Sequence, residues 1–144
     1  MTPASPSKPL AAVARWLLAA ILLYAGAGHF YNASEFLAQV PTWLPFPAVI
    51  VAVSGIVEVT LAVSLVALRG RRTHVGWVVA AFFIVIFPGN ISQFLTQTDA
   101  FGLDSDLSRT VRLVFQPLLV VWALWCTGAW QAWRSRRKEP QPHS

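Results

Sequence analysis

Five residues carry hydrogen-bonding or proton-carrying groups where their neighbours are almost all apolar: His29, Glu58, Asn90, Arg112 and Gln116. Glu58 stands in VSGIVEVTLAVSL, Asn90 in IVIFPGNI and Gln116 in RLVFQPLLVV. A carboxyl group in such surroundings has to be neutral or well paired, because a bare charge in hydrocarbon costs several kcal/mol. Together, an acid, an imidazole, two amides and a guanidinium can hydrogen-bond a small molecule and exchange protons with it. The plainer reading is structural. Amides between membrane helices often act as glue worth roughly 0.6–2 kcal/mol each, and His29 and Arg112 fit an interfacial position with Arg112 snorkelling to headgroups. Glu58 is the residue that packing alone explains least.

Other chemistries are excluded by the same inventory. A haem, copper or iron site needs ligands at one level. The histidines His29, His74 and His143 fall at different levels along the chain, so no metal site is expected. Cys126 is the single cysteine, which removes intrachain disulfides and Cys-x-x-Cys redox pairs and leaves it a packing role. There is no phosphate-binding loop and no nucleophile–His–acid set, so the chain is not expected to be an enzyme by itself. No cofactor is evident. Any electron transfer here would have to be carried by a bound quinone or by a partner subunit.

The elements that must hold these residues are membrane helices. The chain has 144 residues, 56% hydrophobic and only 12% charged. Charges are scarce in four windows, Leu10–Phe30, Pro47–Leu68, Val75–Leu95 and Val111–Trp133, which hold only Arg15, Glu58 and Arg112. Each is long enough for a helix to cross a hydrocarbon core about 30 Å thick, and none alternates as a barrel strand would. The fold class read from this pattern is an all-α membrane protein: a bundle of four transmembrane helices over 10–133 (helices about 10–30, 47–68, 75–95 and 111–133). Residues 1–9 read as a disordered polar tail and 134–144 as a basic cytoplasmic tail. The first window has a second reading as a signal peptide, with Lys8 and Arg15 ahead of an apolar run and Ala25-Gly26-Ala27 as a small-residue cleavage site.

The net charge of +5 points to a bilayer and not to nucleic acid. All Lys and Arg residues except Arg109 and Arg112 cluster at or near Lys8–Arg15, Arg69–Arg72 and Arg134–Lys138. By the positive-inside rule both termini and the short middle loop are cytoplasmic, and the loops at 31–46 and 96–110 face outward. The basic tail would fix orientation and touch anionic headgroups.

Centring each window in the bilayer puts Glu58 near the midplane, with Asn90 about 7 Å, Gln116 about 9 Å, His29 about 13 Å and Arg112 about 15 Å outward of it. On this reckoning no basic residue comes within easy reach of Glu58. Ser54 and Glu58 share one helix face and Arg112 and Gln116 another. Pro88 and Pro117 each free a carbonyl one turn back, next to Asn90 and Gln116. A weak internal repeat aligns WLLAAILLYAGAGH from Trp16 with WVVAAFFIVIFPGN from Trp77 and sets His29 opposite Asn90. The stiff loop VPTWLPFP is either a plain connector or a cap over the outer end of the bundle.

These residues also carry a resemblance. The pieces AGAGHF (25–30), VPTWLPFP (40–47), SGIVEV (54–59), IFPGNI (86–91) and RLVFQPLLVVWAL (112–124), in that order, resemble the DoxX-like family of small integral membrane proteins. That resemblance implies a compact four-helix bundle in the bacterial cytoplasmic (inner) membrane. It also implies association with redox complexes, quinol oxidation or stress responses; a distant branch assists maturation of other membrane proteins. Some related redox-associated proteins rely on cysteine pairs, which this chain lacks. Three functions follow as expectations. The first is an accessory component of a membrane redox or stress-response system, with an outward-facing pocket for a small apolar ligand such as a quinone, lined by His29, Glu58, Asn90, Arg112 and Gln116. The second is a proton-coupled small transporter that uses Glu58. The third is a ligand-free scaffold or assembly factor. The expected partners are the lipid bilayer and proteins of a membrane redox complex, with no nucleic acid.

Overall fold

The computed structural model describes residues 8–99, 102 and 105–138. Among the described residues six α-helices follow one another: α1 Lys8–Tyr31, α2 Ala33–Gln39, α3 Pro47–Ala67, α4 Arg72–Thr96, α5 Asp106–Cys126 and α6 Ala129–Lys138, with one 3-10 turn Arg69–Arg71 ahead of α4. Four of them, α1, α3, α4 with its leading turn, and α5, are long and apolar enough to cross a membrane. They run alternately up and down. One end of the bundle, here the distal end, carries α2, the connection at 40–46, the end of α4 and the start of α5. The proximal end carries Lys8, the turn at 69–71 and α6.

Two differences from the sequence windows matter. The helix expected at 111–133 instead spans Asp106–Cys126 and is followed by a separate α6. Its start is set by Ser105, whose side chain accepts from the Ser108 backbone N–H while Ser108 Oγ accepts from the Ser105 N–H. Asp106 in the first turn also suits the positive end of the helix dipole. Its end is set at Gly128, which takes φ +73°. Part of the tail expected at 134–144 is therefore helical, through Lys138. There Trp133 packs against Trp130 and lies under the Arg137 guanidinium, 4.2 Å from the ring centre, as in helices that lie in a membrane interface. The N-terminal tail expected at 1–9 is helical from Lys8 onward; 1–7 and 139–144 lie outside the described residues. The second difference is α2, an unanticipated helix in the loop at 31–46.

The bundle is built from two tightly packed hairpins, α1 on α3 and α4 on α5, which meet more loosely through α1–α5 and α3–α4. Glycines seat both. A Cβ on Gly26 would lie 2.8 Å from Val59 Cγ2, and one on Gly55 would lie 2.8 Å from His29 Cβ. At the proximal end, a Cβ on Gly76 would collide with Thr127 Oγ1. Such close approach is how membrane helices associate when the solvent is as apolar as the side chains. The buried positions repeat between the hairpins at constant offsets. Leu18, Leu22 and His29 of α1 correspond to Val79, Phe83 and Asn90 of α4, and Glu58, Leu61 and Leu65 of α3 to Gln116, Leu119 and Ala123 of α5; all are buried. Leucine, valine and phenylalanine from this set form the apolar core in the proximal half. In each hairpin the polar pair sits distal to it.

Candidate functional site

The distal half of the bundle encloses a cavity of about 390 Å³. Its polar wall has two matching halves, one per hairpin. In the first, the Gly26–Gly55 contact fixes the register of α1 on α3, so His29 Nδ1 comes to 3.3 Å from Glu58 Oε2. His29 Nδ1 is also 2.8 Å from the Ala25 carbonyl oxygen. A carbonyl can only accept, so Nδ1 carries the ring's hydrogen and Nε2 is the remaining polar atom. Glu58 is 4% exposed, and its Oε2 makes no hydrogen bond. Buried carboxyl oxygens almost always have partners, so this one is a group without its complement.

In the second half, Asn90 Nδ2 donates to Gln116 Oε1 at 3.1 Å and Gln116 Nε2 donates to the Phe83 carbonyl at 2.9 Å. Helices α4 and α5 continue through Pro88 and Pro117. Asn90 bonds Gln116, and Gln116 in turn bonds the α4 backbone, so the two amides hold α4 to α5, which is the glue role.

A lid covers the distal mouth. Phe36 of α2 stacks on the His29 ring with centroids 3.7 Å apart. Arg112 donates to Gln39 Oε1 at 3.0 Å, Gln39 donates to Gln93 Oε1 at 3.3 Å, and Gln93 donates on to the Thr98 carbonyl at 3.3 Å. Val40, Pro41 and Leu44 complete the roof, so the proline-rich loop is a cap and not a plain connector. Buried Arg109 pairs with Asp99 and Asp106 and so ties Asp99, just beyond α4, to the start of α5.

Residues 18–127 match the family model described as a domain of unknown function, DUF8561. The chain belongs to that family. The DUF8561 region takes in α2 to α5 and most of α1, hence both polar pairs, the lid and the whole cavity wall. No curated protein and no solved structure matches the chain.

All five residues singled out in the sequence line this one cavity of the DUF8561 domain, as does Ser54. Two distances had to be corrected. Centred windows leave His29 and Glu58 about 13 Å apart in depth, yet they touch, because the glycine contact and not the helix midpoints sets the register. Arg112 was placed about 15 Å outward of Glu58. With α5 beginning at Asp106, Gln116 is mid-helix and the depth gap from Glu58 to Arg112 falls to about 8 Å. Sequence reasoning missed Phe36, Gln39, Gln93 and Arg109. The signals for three of them were faint: Phe36 and Gln39 are three apart on one short helix, and Gln93 follows Asn90 by three. Among the described residues no group of three or more His, Cys, Asp and Glu side chains gathers as metal ligands.

Proposed function

We propose that this DUF8561 protein is a DoxX-like accessory component of a membrane redox or stress-response system, and that its cavity holds a small apolar ligand with a polar head, such as a quinone. The observation that carries the reading is the Glu58 carboxyl, buried on the cavity wall with one oxygen unpartnered and His29 beside it. Around it stand Phe83, Phe115, Ile86 and Leu119, so the space is apolar with a few convergent polar groups, as small-molecule sites are. A ligand hydroxyl would donate to His29 Nε2, which accepts when Nδ1 carries the hydrogen, and a ligand carbonyl would accept from the Glu58 carboxyl in its protonated form. The clustering of Lys and Arg at the proximal end supports cytoplasmic termini, so that the cavity lies toward the outer face of a bacterial inner membrane. Purification in mild detergent followed by mass spectrometry of bound small molecules tests the reading, with quinone expected in the parent and lost from Glu58→Leu.

The adjacent His29 and Glu58 also favour a second reading, a proton-coupled transporter. That reading requires the apolar core beneath the cavity, with Leu18, Leu22, Leu65 and Val79 all fully buried, to open toward the proximal side. Proton-driven efflux by the reconstituted protein would support it; co-purified protein partners with an empty cavity would favour the scaffold instead.

A further inference from the structure

A second groove runs over the outside of the bundle between α1 and α5, with a volume of about 340 Å³. Its walls are Leu10, Val13 and Leu17 on α1 and Leu118, Val121 and Trp125 on α5, with Ala14 and Trp122 between them. These side chains are apolar apart from the indole N–H groups of Trp122 and Trp125, and that of Trp122 is committed to the Ala14 carbonyl at 3.0 Å, bridging the two helices. The groove does not stop at random. Leu17 is one turn from Ile21 on α1, and Leu118 is three residues from Phe115 on α5, and both Ile21 and Phe115 belong to the cavity wall. Ile21 and Phe115 are also partly exposed, at 37% and 45%. The walls of the cavity and of the groove therefore adjoin along the α1–α5 seam. This is the loose seam between the two hairpins, while the distal mouth is closed by α2.

We propose that the α1–α5 groove seats the hydrocarbon tail of the ligand whose polar head occupies the cavity, so that the site as a whole takes a tailed, membrane-dissolved molecule that enters sideways from the bilayer. The proposal rests on the reading of the cavity as a quinone-type site. Size and chemistry argue for this occupant. The cavity has room for a ring and the first carbons of a tail, and its polar wall is spent on a head. The groove from Leu10 to Leu17 extends roughly 10 Å and offers mainly dispersion contacts. A soluble ligand would have no use for it, and a tail could reach it from the cavity without crossing any polar group.

The test is a para-benzoquinone carrying a saturated tail that ends in a photoreactive diazirine, added to the protein in lipid nanodiscs. Labelled residues are mapped by peptide mass spectrometry, and binding of untailed para-benzoquinone is read separately from tryptophan fluorescence. Labelling is expected on 10–17 and 118–125, displaced by excess untailed quinone. Leu118→Trp should fill the groove and lose that labelling while still binding the untailed ring; Val63→Trp, on the lipid-facing side of α3, should keep both. Labelling spread over all lipid-facing helices, or groove labelling that untailed quinone does not displace, means the groove holds only bulk acyl chains and overturns the proposal while leaving the cavity reading standing. Absence of binding by either quinone removes the cavity reading and the tail groove with it.

Discussion

Replacing Glu58 by leucine should make the empty protein more stable while destroying its site. The magnitude follows from the hydrogen-bond count. Glu58 Oε2 is buried and unbonded, and a buried unsatisfied polar atom costs about 1–3 kcal/mol. Leucine is close in volume to glutamate, so the exchange removes that cost without opening a large void. The His29 contact offsets little of it, because the Nδ1 hydrogen already serves the Ala25 carbonyl. For a domain of this size one kcal/mol moves an unfolding midpoint by roughly 4 °C. Glu58→Leu is therefore expected to unfold about 4–12 °C higher than the parent in detergent freed of ligand. The seven tryptophans allow the transition to be followed by intrinsic fluorescence. The same variant should no longer retain ligand. Glu58→Gln, which keeps the shape and a neutral polar group, should retain both fold and ligand. A Glu58→Leu protein that melts below the parent would show that the carboxyl makes a stabilising bond and refute the reasoning. A folded Glu58→Gln protein that loses function would shift the role of Glu58 to proton exchange and favour the transporter.

Gly55→Ala forces a Cβ against His29 Cβ at 2.8 Å; it should destabilise by about 1–3 kcal/mol and weaken ligand retention, both read by the same melting and mass-spectrometric measurements. Gly76→Ala should destabilise at the opposite end through Thr127 without touching the cavity, and Thr127→Ala should partly restore it, a coupling that a double-mutant cycle measures. Phe36→Ala removes the ring stacked on His29 and should raise the accessibility of Glu58 to water-soluble carboxyl reagents, with little loss of stability. Reporter fusions at the C-terminus and in the 96–110 loop should report opposite sides of the membrane, with the C-terminus cytoplasmic; a C-terminal fusion active only outside the cytoplasm would reverse the assignment.

The sequence by itself determined that this is a chain of four long apolar helices, because hydrocarbon leaves the backbone no other way to satisfy its hydrogen bonds over such runs. It also singled out His29, Glu58, Asn90, Arg112 and Gln116, because a polar group in an apolar run is costly enough to stand out without any knowledge of its neighbours. It located α3 closely, since Pro47 begins the helix and, Glu58 apart, uncharged residues fill it. It misjudged α5, where a polar first turn from Asp106 to Arg109 looked like loop and was made helix by the Ser105–Ser108 cap. It missed α2, a helix of seven residues too short to show a period.

Only the tertiary structure decided how the polar residues pair. Depth along a helix is a one-dimensional quantity and fixes neither rotation nor the sliding of one helix on another. Those depended on Gly26 against Gly55 and Gly76 against Thr127, contacts between residues far apart in the chain whose small side chains carry no hydropathy signal. With the register so fixed, His29 meets Glu58 and leaves an acid with one unpartnered oxygen, whereas Asn90 meets Gln116 and satisfies it. Two hairpins of similar pattern thus form an open polar half and a closed one, a distinction set by which side chains touch and invisible in the order of the residues.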